Sequence, residues 1–153
     1  MLVFWLMALT ASVSASQAGA SVQFRGVPLG ITMAQFKKLR PNVICEQPAS
    51  YSDTFRCEEK LQRSADLPFK SGNGSVDYYF NKSNQTLAEI TFWADYDDED
   101  WVEASLRRAW GEPDSTKDED GDPELAWFRS GARIRFNPDC EDGAICTEYR
   151  LSR

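Results

Sequence analysis

The chain has 153 residues, is 42% hydrophobic and 12% aromatic, carries a net charge of −7 and contains no histidine. This is a folding composition of about single-domain length. The acidic balance argues against nucleic acid, which needs a basic footprint; the missing histidine removes Ser-His-Asp triads, Cys-His pairs and HExxH zinc helices.

From Leu2 to Leu9 the chain is an unbroken apolar run, and small-x-small exits follow at Val13-Ser14-Ala15 and Ala18-Gly19-Ala20. That pattern reads as a signal peptide over residues 1–20, although no Lys or Arg precedes the run. The run is shorter than the roughly 20 apolar residues of a spanning helix. No cysteine precedes Cys45, so no lipid-attachment position follows the run and no membrane anchor is expected. Residues 21–153 are then one exported domain, periplasmic or secreted.

Ser21 to Phe24 alternates and reads as a short first strand, followed by a turn-rich stretch to Gly30. Thr32 and Gln35 form a capping-box pattern, and Met33, Phe36 and Leu39 make one apolar stripe. A helix is expected from about Met33 to Arg40, stopped by Pro41. Residues 42–74 are the least regular, with a strand expected over Tyr51–Cys57 and a turn at Ser71-Gly72-Asn73-Gly74. Val76, Tyr78 and Phe80 alternate with polar neighbours, and Leu87–Trp93 follows after a polar loop, so these two segments should pair.

Asp97–Trp110 reads as a second helix, acidic in its first turn and with Arg107 and Arg108 in its last, which suits the helix dipole. Gly111 and Pro113 end it. Residues 114–124 read as a polar loop. Leu125–Arg129 and Ala132–Phe136 then flank Ser130-Gly131 as a hairpin that sets Trp127 opposite Ile134 and Leu125 opposite Phe136. Phe128, Arg133 and Arg135 fall on its other face. A last strand spans Ile145–Leu151. The expected fold class is α+β, with two helices packed on one face of an antiparallel sheet of about five to six strands.

Four cysteines, Cys45, Cys57, Cys140 and Cys146, form an even set in an exported chain and read as disulfides. Pairing of near neighbours, Cys45–Cys57 and Cys140–Cys146, closes the shortest loops. The C-x11-C and C-x5-C spacings without histidine do not suit zinc. No cofactor or metal is expected, and no dinucleotide, P-loop or G-x-S-x-G pattern occurs.

Charge is uneven: residues 95–124 hold 13 acidic and 3 basic side chains. Their bland reading is a solvated helix start and loop. Two functional readings stand beside it: a carboxylate cluster for a small hydrolase, and oxygen ligands for calcium at 118–124, whose register departs from an EF-hand. Trp127 and Trp110 suit the core. Trp93 and Trp101, beside the acidic segment, are candidate partner contacts, as are Phe128, Arg133 and Arg135, which suit an acidic partner.

Gly26-Val27-Pro28-Leu29-Gly30-Ile31-Thr32 with Phe36, and the helix end Trp110-Gly111-Glu112-Pro113, resemble small exported bacterial helix-on-sheet domains, namely the β-lactamase inhibitory protein fold and the small outer-membrane assembly lipoproteins. The lipoproteins' lipid-attachment cysteine is missing, and one helix-and-sheet unit is expected where the inhibitor has two. The resemblance implies a binding or scaffold role and transfers no functional residue. The expected function is therefore a non-enzymatic protein-binding or scaffold module of the bacterial cell envelope, partnered by another envelope protein. The alternative is a small carboxylate- or cation-dependent hydrolase using residues 95–124.

Overall fold

The computed structural model describes residues 21–46, 52–62, 73–140 and 144–152. The expected signal segment and the Ser71-Gly72 half of the expected turn lie outside them. The described residues start with a hairpin of β1 (Gln23–Phe24) and β2 (Val27–Pro28), in which Arg25 and Gly26 both take positive φ, as a tight two-residue hairpin turn requires. Helix α1 (Met33–Leu39) follows. Thr32 caps it, its hydroxyl accepting from Gln35 N–H while the Gln35 side chain accepts from Thr32 N–H at 2.9 Å.

Strands β3 (Ile44–Cys45), β4 (Thr54–Gln62), β5 (Asn73–Asn81) and β6 (Leu87–Asp95) form an antiparallel meander. A 3-10 turn, Tyr96–Asp98, leads into α2 (Glu99–Trp110), which ends where Gly111 adopts a φ of 80°. A second meander follows: β7 (Ser115–Lys117), β8 (Pro123–Arg129), β9 (Ala132–Asn137) and β10 (Ala144–Leu151). The two meanders join edge to edge through β6 and β10, giving one eight-stranded antiparallel sheet in the order β3-β4-β5-β6-β10-β9-β8-β7.

This order corrects the sequence reading in two ways. The fold is predominantly β, one eight-stranded sheet with two helices, rather than an α+β fold on five to six strands. A helix followed by four strands also occurs twice, and the strand order of one unit mirrors that of the other about the β6–β10 seam. Two units are present where one was expected. The short strands β3 and β7 were missed, and the strand expected at Tyr51–Cys57 runs instead from Thr54 to Gln62. Gly74 lies within β5, paired to Leu61 and Ala94, so it is not part of a turn.

Both helices and the β1–β2 hairpin cover the same face of the sheet. Phe36 of α1 packs on Tyr78 and Phe80, with ring centroids 4.8 and 5.1 Å away. Phe24 of the hairpin stacks on Phe92 and meets Tyr149 across the seam. Val102 and Leu106 of α2 join a continuous core with Trp127, Ile134, Phe136 and Ile145. Trp127 is fully buried and donates its indole N–H to the Gly111 carbonyl at 2.9 Å, tying β8 to the end of α2. The hairpin register is the expected one, with Leu125 opposite Phe136 and Trp127 opposite Ile134. Ser130 and Gly131 carry the positive φ values its turn needs.

Disulfides Cys45–Cys57 and Cys140–Cys146 have the expected pairing, and no described cysteine is free. The first staples the short edge strand β3 onto β4, where the two cysteines face each other in register. Two such bonds indicate an oxidising, extracytoplasmic environment. Among the described residues no helix is long and apolar enough to cross a membrane.

Candidate functional site

Side chains alternate across a strand, so each apolar residue turned to the helices sends its neighbours to the opposite face. That open face carries Arg56, Asp77, Tyr79, Glu89, Thr91, Trp93, Glu148, Arg150, Arg133, Arg135, Glu124 and Phe128, read across the sheet by strand register. Nothing among the described elements covers it, yet several of its polar residues are buried. Glu124 is 3% exposed, Asp77 5% and Thr91 7%. They are buried by their own neighbours: long arginine and aromatic side chains lie over them.

Three arginines and three glutamates form a ladder across β8, β9, β10 and β6. Glu124 accepts from Arg133 Nη2 at 2.8 Å and from Arg135 Nε at 2.8 Å. Arg135 reaches on to Glu148 at 3.5 Å, and Arg150 joins Glu148 at 2.9 Å and Glu89 at 2.6 Å. The ladder is layered. The side chains of Glu124, Glu148 and Glu89 are 3%, 17% and 18% exposed, against 36%, 32% and 57% for Arg133, Arg135 and Arg150. The carboxylates are the more buried members of the ladder and the arginines the more exposed. Burial, and then the neighbouring Glu89 charge, raise the pKa of Glu148 despite the arginines around it.

A second cluster lies beside it on β4, β5 and β6. Asp77 Oδ2 accepts from the Trp93 indole at 3.1 Å and from Tyr79 at 3.5 Å, with Arg56 at 3.6 Å. Burial raises the Asp77 pKa, and Arg56 and Trp93 oppose that rise.

Between these clusters one end of the face forms a groove of about 920 Å³, whose lining includes Thr54, Tyr79, Glu89, Arg150, Arg133 and Phe128. Those residues come from six neighbouring strands, β4 through β8 in sheet order. The lining follows one cross-strand row, Phe128, Arg133, Arg150, Glu89 and Tyr79, so the groove runs across the strands of the open face. Phe128 is 55% exposed on the rim, with the Arg133 guanidinium 5.9 Å from its ring centroid, and Tyr79 is half-buried in the floor.

Of the expected contact residues, the structure brings Phe128, Arg133 and Arg135 together on this face. Trp93 shares the face, where it lines a second hollow with Lys60, Ser75 and Asp95. Trp101 is half-buried on α2 and packs against the core on the covered side. Sequence reading missed Tyr79, Glu89, Glu124, Glu148 and Arg150. Alternation within β10 places Glu148 and Arg150 together on one face, but nothing local shows that Glu124, at the end of an acidic run, is buried beneath two arginines.

The acidic segment is dispersed. Asp95, Asp97 and Asp100 are exposed around the start of α2, while Asp98 is buried. In the loop, Asp118 Oδ1 accepts the backbone N–H groups of Asp120 and Asp122 at 2.9 Å each, so this oxygen closes a turn. No group of three or more candidate metal-ligating side chains occurs among the described residues. Compared with family models, curated proteins and solved structures, the chain matches none of them.

Proposed function

We propose that this protein is an exported, non-enzymatic protein-binding module of the bacterial cell envelope, and that it binds a partner envelope protein with the grooved open face of its sheet. The observation that carries this reading is the groove lined from six strands, with Phe128 exposed on its rim and Tyr79 in its floor. Phe128, exposed beside Arg133, and Tyr79 within the groove match the aromatic and arginine enrichment of protein interfaces. The two disulfides support export. The hydrolase reading gains nothing from the arrangement. The carboxylates of 95–124 do not converge on this groove, and the hollow beside Trp93 takes one of them, Asp95.

Site-specific photocrosslinking in the envelope of the native host tests the proposal. A crosslinker at Phe128 should give a discrete adduct, whereas one at Lys38, exposed on the helical side, should not. Adducts from position 38 alone, or equal adducts from both, would move the binding surface away from the sheet.

A further inference from the structure

Resting on that binding face, we infer that the element it receives is an acidic loop of the partner, a carboxylate side chain of which is clamped between Arg133 and Arg150. These arginines are direct cross-strand partners on β9 and β10. Like charges placed opposite each other across a sheet repel, so their pairing calls for negative charge nearby. Glu124, Glu148 and Glu89 supply it from below, three carboxylates to the three arginines of the ladder. Arg133 meets Glu124 through Nη2, and Arg150 meets Glu89 and Glu148 through Nε and Nη2. Among the described residues neither Nη1 has a partner, so each arginine keeps donors for a group arriving from the solvent side.

The groove also determines what kind of anion it suits. At about 920 Å³ it is far larger than an inorganic ion, and Phe128, Tyr79, Ala88 and Leu151 give it apolar wall on both sides of the arginines. A free ion would leave that wall wet. A loop carrying Asp or Glu beside an aromatic or aliphatic residue would satisfy the guanidinium groups and cover Phe128 in one movement. Charge complementarity is local: the chain as a whole is acidic, and the most exposed charged groups lining this groove are Arg133 and Arg150, at 36% and 57% against 18% for Glu89.

The probe is a library of disulfide-closed random octapeptides displayed on phage and selected against the full chain. Enriched loops should carry Asp or Glu next to an apolar residue. As synthetic peptides they should lose at least about tenfold in affinity on Arg150→Gln and on Arg133→Gln, as expected for loss of a charge-assisted hydrogen bond. Their association should slow as salt rises, because exposed charges are screened beyond about 10 Å at 0.1 M. Circular dichroism checks that both variants fold, and Arg150, the more exposed, is the safer of the two. Loops that lack a carboxylate, yet lose binding on Phe128→Ser, would overturn the acidic-loop inference and leave the binding face standing. Loops indifferent to Phe128, Arg133 and Arg150 alike would remove both, and a selection that yields no acidic loop overturns the inference.

Discussion

Glu124→Gln should destabilise the fold by about 2 kcal/mol. Glu124 is 3% exposed and accepts from two guanidinium groups, Arg133 at 2.8 Å and Arg135 at 2.8 and 2.6 Å. Removing one member of a buried ion pair costs about 3–5 kcal/mol, because the partner charge is stranded. Both arginines here keep about a third of their side chains in solvent, and Arg135 retains Glu148. Solvent screening therefore lowers the figure, but the amide that replaces one carboxylate oxygen turns donors toward donors, which keeps it well above zero. Urea denaturation should show a lower midpoint at unchanged slope, and the thermal midpoint should fall by roughly 6–10 °C for a domain of this size. As a control, Glu103→Gln on α2 breaks an i,i+4 pair with Arg107 that is about one-third exposed and should cost under about 0.5 kcal/mol. Equal losses at Glu103 and Glu124 would refute the reasoning, since it depends on burial and not on ion pairing as such.

Glu148 holds its proton more tightly folded than unfolded, so its contribution is present below its ordinary 4.5 and is lost as pH rises through the raised value. Glu148→Gln should therefore equal or exceed the parent in urea midpoint at pH 7, and that advantage should vanish below about pH 4; a variant less stable at pH 7 alone would contradict this sign. Replacing Cys45 and Cys57 together by Ala should cost about 2–4 kcal/mol by the chain-entropy estimate for a short loop, read as a lower denaturation midpoint under non-reducing conditions. Trp127→Phe strands the Gly111 carbonyl and opens space in the core, and should cost about 1–3 kcal/mol. Millimolar calcium should shift the melting temperature no more than magnesium does, because a carboxylate oxygen of Asp118 is already committed to its own turn; a calcium-specific rise would restore the ligand reading of that loop.

Local chemistry was legible where it decides structure by itself. The Thr32–Gln35 box, the Gly111 stop and the Ser130-Gly131 turn are each written in a few adjacent residues, and the structure has all three. The hairpin register followed from its two-residue turn. What stayed hidden depends on partners far along the chain. Strands β3 and β7 are two and three residues long, too short for any alternation to show, and they exist because β4 and β8 offer them edges. The repeat was invisible because it lies in strand order and not in residues. Phe128, Arg133 and Arg135 were placed on the outer face by alternation alone. That the face holds a groove and a layer of buried carboxylates depends on the β6–β10 seam, which links residues as far apart as Glu89 and Arg150, 61 positions along the chain. Glu124 shows the difference best: it sits beside an acidic loop in sequence and beneath two arginines in space.

The seam also bears on how the molecule assembles. Within each unit every strand pairs with its neighbour in sequence, so both halves can form from local contacts, which close quickly and at small entropic cost. The seam alone joins β6 to the far end of the second half, and it is antiparallel. The same register is available between two chains: β6 of one against β10 of another, and the reverse. Such an exchange would close a twofold dimer with every seam contact retained and each groove built from two polypeptides, the low-cost route to dimers that domain swapping provides. Such a dimer would differ from the single chain only in the path between β6 and α2.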